Sequence, residues 1–282
     1  MTTIGIIGGS GLYEMEGLSG IREVSVDTPF GSPSASLVTG QLGEAHLVFL
    51  PRHGRGHTIL PAEINFRANI YALKQLGVQQ ILSISAVGSM KEEIRPGEMV
   101  IVDQFIDRTS GRPSTFFGDG IVGHIPFADP VCPVLRRQFQ ESCRALQIPF
   151  HARGTYICIN GPQFSTRAES RLYRQWGVDV IGMTNMPEAR LAREAQICYA
   201  TLALATDYDC WKEDHDDVSV DAVLEIIHQN VENAKKIIRE MAGRATPESD
   251  CSCPRALENA VLTNPDHITS AAREKLRFIL PA

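Results

Sequence analysis

The segment Ala205-Thr206-Asp207-Tyr208-Asp209-Cys210-Trp211 closes an apolar run with two carboxylates. In extended backbone, residues two apart project to one face. Asp207 and Asp209 are therefore expected to point together into whatever lies beyond the strand end. Paired carboxylates at this spacing serve metal binding, acid–base catalysis or recognition of a group with two donors. Metal binding fits least well, because the other chemistry-bearing loops bring arginine and histidine rather than further acidic ligands.

Four such loops follow strand-like runs. Gly8-Gly9-Ser10-Gly11 can turn backbone N–H groups toward an anion, with the Ser10 hydroxyl as an added donor. It is not the dinucleotide fingerprint, because a pattern begun at Gly9 needs glycine where Glu14 stands, and no Gly-Lys-Ser/Thr follows it. A dinucleotide-dependent oxidoreductase fails on that ground. Pro51-Arg52-His53-Gly54-Arg55-Gly56-His57 concentrates two arginines and two histidines in six residues. Arginine offers paired planar donors, and histidine donates or carries charge near neutrality. Ile84-Ser85-Ala86-Val87-Gly88-Ser89 and Gly182-Met183-Thr184-Asn185-Met186-Pro187-Glu188 add small and hydroxyl residues at two more strand ends. Ligands of open α/β sheets collect at the carboxyl ends of strands. Together the four loops point to one phosphate-sized anion, which no single loop would do.

The loops need strands and helices to hold them. A β-branched run at residues 3–7 reads as a buried strand ended by the first glycine loop. Further strands are expected at 22–26, 45–50, 80–85, 99–106, 154–159, 178–183 and 198–206. Helical patterning covers 61–76, with Ile64, Ala68, Tyr71, Ala72 and Leu76 on one stripe. Helices are also expected at 133–146, 167–176, 187–196, 220–241 and, briefly, 269–280. The alternation predicts an α/β fold with a mostly parallel, mixed sheet. Residues 108–130, rich in Gly, Pro, Ser and Phe, form a long loop of the kind kept for binding or subunit contact. A polar stretch at 243–254 divides a main domain, 1–243, from a tail, 244–282, whose short helix is expected to pack on or near that domain.

Composition narrows the classes further. The 282 residues are 43% hydrophobic, enough for a real core in one large domain. A net charge of −6 argues against nucleic acid as the main partner, which a phosphate-tracking protein meets with a basic face. No run of about 18 apolar residues suggests a membrane span, and the N-terminus lacks the flank and cleavage site of a signal peptide. A cytoplasmic protein with no membrane partner is expected. Of the seven cysteines, most are expected to be small buried hydrophobes. Cys251-Ser252-Cys253 stands apart as a tight pair in the tail, suited to a reducible disulfide or a metal, although two thiols alone make a poor zinc site.

Taken in order, Gly8-Gly9-Ser10-Gly11, Pro51-Arg52-His53-Gly54, Asn160-Gly161-Pro162-Gln163-Phe164-Ser165-Thr166-Arg167-Ala168-Glu169, Met183-Thr184 with Pro187-Glu188, and Thr206-Asp207-Tyr208-Asp209 resemble the methylthioadenosine phosphorylases, within the trimeric purine nucleoside phosphorylase family. The match runs from about residue 3 to 242 and leaves the tail uncovered. The resemblance implies a single α/β domain around a mixed, distorted, barrel-like sheet, assembled as a trimer or a multiple of trimers. It implies a salvage transferase with phosphate as co-substrate, no cofactor and no metal. Phosphate would lie among Ser10, Arg52, His53, Ser85, Ala86 and Thr184. Met183 would lie under the ribose, Phe164 near the base, and Ser165 and Val220 along the base and thioether regions. Asp207 and Asp209 would face the purine N7 and 6-amino edge, and His124 would reach a neighbouring subunit's methylthio pocket. Ser10 stands where many relatives carry threonine, and Asn185-Met186 departs from the pair expected after Met183-Thr184.

Chemistry gives the aspartates their meaning. Glycosidic cleavage passes through a sugar with oxocarbenium character, and the purine leaves readily when N7 is protonated as charge arrives. A carboxylic acid in a desolvated pocket keeps a proton near neutrality. Asp207 is thus expected to donate to N7, with Asp209 accepting from the 6-amino group. Adenine is favoured, since a 6-oxopurine turns an acceptor toward an acceptor at a cost of roughly 1–3 kcal/mol. The rivals are a phosphorylase for methylthioinosine or another 6-oxopurine nucleoside, and a non-catalytic nucleoside-binding protein.

Overall fold

The computed structural model describes residues 2–212, 220–244 and 251–280, without the side chains of Ser10 and of residues 220–224. Strand β1 (Thr3–Gly8) pairs in parallel with β4 (Ala45–Pro51) on one side and with β5 (Gln80–Ser89) on the other. A strand flanked by two parallel neighbours has both faces covered, which is why its sequence is a continuous apolar run rather than an alternating one. Ile4, Ile6 and Ile7 are all buried.

Two strands with weak sequence signals widen this sheet. β2 (Ser19–Val24) and β3 (Leu37–Leu42) extend it antiparallel beyond β4. The run 99–106, read as one strand, is two: β6 (Met99–Ile101) and β7 (Gln104–Arg108). The break falls at Val102-Asp103, where the Asp103 carboxylate accepts from Gly154 N at 3.2 Å and from Arg136 at 3.2 Å. The two halves then serve different partners. β6 pairs with β8 (Phe150–His151) and with β11 (Cys198–Asp207), whereas β7 pairs with β9 (Thr155–Ile159).

Among the described residues eleven strands join in one mixed sheet, ordered β2-β3-β4-β1-β5-β10-β9-β7, with β10 spanning Val180–Gly182. It branches at β5, which also carries β11 along its length, and it does not close. The fold is the mixed α/β arrangement expected.

Helices cover the sheet. α1 (Phe66–Gln75) is capped by Asn65, which accepts from Ala68 N, and its buried residues include Ile70, Tyr71 and Leu73. α2 (Pro133–Ala145) starts on proline. α3 (Arg167–Gln175) opens on a reciprocal cap between Thr166 and Glu169. α4 (Asn185–Glu194) is interrupted at Met186, so its regular turns begin at Pro187. α5 (Val220–Gly243) packs on β11 and α2.

Residues of the tail take part in the core. Leu257, Ala260, Leu276 and Ile279 are buried in the same apolar cluster as α1 and β5, and α6 (Ser270–Lys275) follows a Thr269 cap. No helix among the described residues is long and apolar enough to cross a membrane.

Candidate active site

The place where β5 changes partners opens the site. β1 accompanies β5 only as far as Ser83, and β10 joins it, antiparallel, from Gly88. Between them, that edge of β5 has no strand partner among the described residues. The Ile84 carbonyl on this edge accepts from Arg52 Nη1 at 2.9 Å. Backbone groups two residues apart share a side, so the Ala86 N–H faces the same gap.

The gap leads into a cavity of about 450 Å³. Its walls bring together Arg52, His53, Ser85, Ala86, Phe164, Ser165, Met183, Thr184, Asp207 and Asp209, ten of the thirteen expected site residues. Ser10 and Val220 lie outside the described side chains, although Gly9 reaches the cavity wall. His124 is exposed and does not line this cavity; its backbone N–H donates to Ala260 O at 2.8 Å.

At one end, hydroxyls and cations converge. Ser85 Oγ lies 3.5 Å from Thr184 Oγ1 and 3.3 Å from the Tyr156 hydroxyl. Gly182 is required here, since a side chain on it would collide with that tyrosine hydroxyl. Arg52 is less free than its sequence context suggests. Its guanidinium forms a bidentate pair with Glu188 at 2.8 and 3.0 Å and also donates to Ser83 Oγ, Ile7 O and Ile84 O. Burial works against the charge, but Glu188's opposing charge and hydrogen bonds outweigh it and raise the Arg52 pKa. Among the described residues one Nη1 hydrogen has no acceptor. Glu188 in turn accepts from Ser83 and from the Tyr199 hydroxyl. The role of Glu188 is not among those expected from the sequence; an acid on an otherwise apolar helix face is the signal for it.

His53 sits beside this pair with Nδ1 2.9 Å from Ile59 O and its ring stacked on His57. Burial lowers its pKa to about 4, against a partial opposing effect of the Ile59 carbonyl. The imidazole is therefore neutral at pH 7, with Nδ1–H donating to the Ile59 carbonyl and Nε2 as the acceptor nitrogen. The linkage has a definite sign. A base whose folded pKa lies below its ordinary 6.5 contributes stability above that value, which is lost as pH falls toward 4. His53→Gln is expected to lose less unfolding temperature between pH 7 and pH 5 than the parent, by thermal melts. Equal pH dependence in the two proteins would contradict the assignment.

At the other end stand the carboxylates, and a bulge sets their direction. The β11–β5 register passes from Ala205↔Val87 to Asp207↔Gly88, leaving Thr206 as an extra residue. The strand stops at Asp207 and Asp209 lies in the following turn, so simple alternation does not apply. Both side chains still reach the cavity. They crowd Gly88, where an added Cβ would meet Asp207 Oδ1 at 3.2 Å and Asp209 Cβ at 3.5 Å. Asp207 opens onto the cavity, and burial by the surrounding walls raises its pKa, opposed by the Thr206 hydroxyl at 2.6 Å and reinforced by Asp209. Asp209 is buried and accepts from Ser165 Oγ at 3.1 and 2.9 Å.

Between the ends lies Met183. Its carbonyl is held by Arg112 Nη1 at 2.9 Å, and the same guanidinium grips Met186 O and Asn160 O. Arg112 belongs to the long loop 108–130, and nothing in its sequence context marked it. Phe164 stands at the cavity with 83% of its surface exposed, so no described residue of its own chain covers it.

Comparison with known proteins places this geometry. The family profile described as "Phosphorylase superfamily" matches residues 3–242. The S-methyl-5′-thioadenosine phosphorylase of Geobacter sulfurreducens is 59% identical over 98% of this chain and 97% of its own. A crystal structure of a methylthioadenosine phosphorylase from an antarctic soil metagenomic library superposes with a TM-score of 0.96 at 48% identity, covering 99% of both chains. The methylthioadenosine phosphorylase of Schistosoma mansoni in complex with adenine gives 0.84 at 38% identity, covering 93% of this chain and 99% of its own.

Proposed function

We infer the function from the premise that this chain belongs to the phosphorylase superfamily. It cleaves the N-glycosidic bond of 5′-methylthioadenosine with inorganic phosphate as co-substrate, giving adenine and 5-methylthioribose 1-phosphate. The observation that carries this reading is the two-ended cavity: hydroxyls, His53 and Arg52 at one end, and Asp207 with Asp209 at the other. Ser85 and Gly88 are three residues apart on β5, about 10 Å, which leaves room for a pentose between the ends.

Phosphate binds Ser85 Oγ, Thr184 Oγ1, the Ala86 N–H, His53 and the remaining Arg52 donor. Because Glu188 already balances the Arg52 charge, the anion is held chiefly by directed hydrogen bonds. Ser10 joins this group and Val220 borders the thioether, both on the resemblance of their motifs. Met183 supports the ribose, while Phe164 and Ser165 border the base.

A phosphate oxygen forms its bond to C1′ as the bond from C1′ to the purine N9 breaks. The departing electron pair spreads over the purine, and Asp207 delivers a proton to N7. The phosphate also stabilises the cationic sugar it attacks. Asp209, fixed by Ser165, accepts from the 6-amino group. Phosphorus NMR of the reaction mixture is expected to show one new phosphomonoester for each adenine released. Adenine release without consumption of phosphate would mean hydrolysis and overturn the reading.

The assembly is a trimer or a multiple of trimers. His124 supports this, being exposed in a segment whose neighbours Val122 and Leu262 are also exposed and apolar. From there it reaches a neighbouring copy's methylthio pocket. A single-chain mass in sedimentation would contradict it.

A further inference from the structure

Far from the cavity, four cysteines meet. Cys132 immediately precedes α2, Cys198 opens β11, and Cys251 and Cys253 belong to the tail. All four are buried, and their sulfur atoms all lie within 4.8 Å of one another. Cys198 Sγ and Cys251 Sγ are 3.4 Å apart. The remaining three cysteines, Cys143, Cys158 and Cys210, stand outside the group. The tail pair alone makes a poor metal site. The fold supplies the two ligands that the sequence could not show, since 65 residues separate Cys132 from Cys198 (198 − 132 = 66 positions) and 52 separate Cys198 from Cys251 (251 − 198 = 53 positions).

We propose that Cys132, Cys198, Cys251 and Cys253 bind one zinc ion as a structural tetrathiolate site. Four sulfurs at zinc's bond length of about 2.3 Å form a tetrahedron with edges of about 3.8 Å, so the observed cluster needs only sub-ångström adjustment. Four buried ligands leave no open coordination position, which marks a structural rather than a catalytic site. The reaction is Zn²⁺ with four thiols, giving the doubly negative tetrathiolate and four protons, with no change of oxidation state. Cys132 is the N-cap residue of the 13-residue α2, so its sulfur lies near the positive end of that helix, which favours a thiolate.

The site has a mechanical purpose. It fastens the start of the tail's buried segment, just before Leu257, Ala260, Leu276 and Ile279 join the core. The same tail bridges Val261 to Gly123, beside His124. Cys198 and Asp207 lie at opposite ends of β11, about 30 Å apart along the strand, so the metal takes no part in the reaction.

The test is metal analysis of the full-length protein, produced with zinc supplied and then dialysed, with thiols counted after denaturation in chelator. About one zinc per chain and seven free thiols are expected. Replacing Cys251→Ser and Cys253→Ser together should reduce zinc to below about 0.1 per chain, whereas Cys210→Ser should retain it. Because the double variant can lose its fold, cobalt exchange of the parent provides a second reading: intense visible bands of tetrahedral tetrathiolate cobalt are expected. Metal-free protein overturns the proposal, whether its thiols are all reactive (simple packing) or partly missing (disulfides). So does zinc retained in the double variant, or a weak octahedral cobalt spectrum.

Discussion

Asp207→Asn is expected to lower kcat/KM for methylthioadenosine by about 10²- to 10⁴-fold, the range associated with a positioned general acid. The amide still fits between Thr206 and Gly88 but has no proton to deliver to N7. It can, however, both donate and accept, so some turnover of methylthioinosine should appear in the variant. The pH dependence follows from the raised pKa. Burial keeps Asp207 protonated above the usual aspartate range, so kcat/KM should fall as pH rises through that raised value. The asparagine variant should lack this limb. Intact adenine release with no gain for the 6-oxopurine would contradict the role given to Asp207.

Glu188→Gln has the second large effect, on stability and on phosphate together. Glu188 is 1% exposed and is, among the described residues, the sole counter-charge in contact with Arg52, which is 3% exposed. Removing it leaves Arg52 charged, buried and unpaired, an arrangement that typically costs about 3–5 kcal/mol. Denaturant unfolding should report a loss of that size, and the KM for phosphate should rise because Arg52 no longer has a fixed orientation. Since Ser83 and Tyr199 also lose their charged acceptor, the effect should exceed that of an exposed pair such as Arg277–Glu274, worth at most about 1 kcal/mol. A change within about 0.5 kcal/mol, with the phosphate KM unaltered, would show that the pair is structurally idle.

Both effects arise where local sequence and long-range pairing meet, and the same boundary separates what could be read in advance from what could not. Strand β1 was legible because a buried parallel strand writes itself as Ile-Gly-Ile-Ile with glycines behind it. The α3 start was legible because Thr166 and Glu169 carry a reciprocal cap three residues apart. Most of the polar residues that line the cavity were visible as types at strand ends. β3 was missed: Thr39, Gly40 and Gln41 interrupt its apolar residues, and its place is fixed by pairing with β2 and β4. The split between β6 and β7 depends on Asp103 finding Gly154, fifty-one positions away.

The site shows the same division. The aspartate pair was found, but the argument from alternation assumed a continuous strand, whereas the bulge at Thr206 sets the direction of Asp207. Arg52 was found, but not that Glu188 claims most of its donors. Arg112 was not found, because its ligands are carbonyls, which any sequence supplies. The tail's short helix is expected from the sequence to pack on or near the main domain; its polar entry gives no sign of how far Leu257, Leu276 and Ile279 are buried in the core.

One cavity is expected to present phosphate to a nucleoside whose purine is held by two carboxylates. The most direct measurement is the initial rate of base release from methylthioadenosine, with and without phosphate, beside methylthioinosine. Adenine release that requires phosphate and exceeds hypoxanthine release is the predicted result. Preferential hypoxanthine release would contradict the part given to Asp207 and Asp209, and release of neither base would contradict the assignment of catalysis itself.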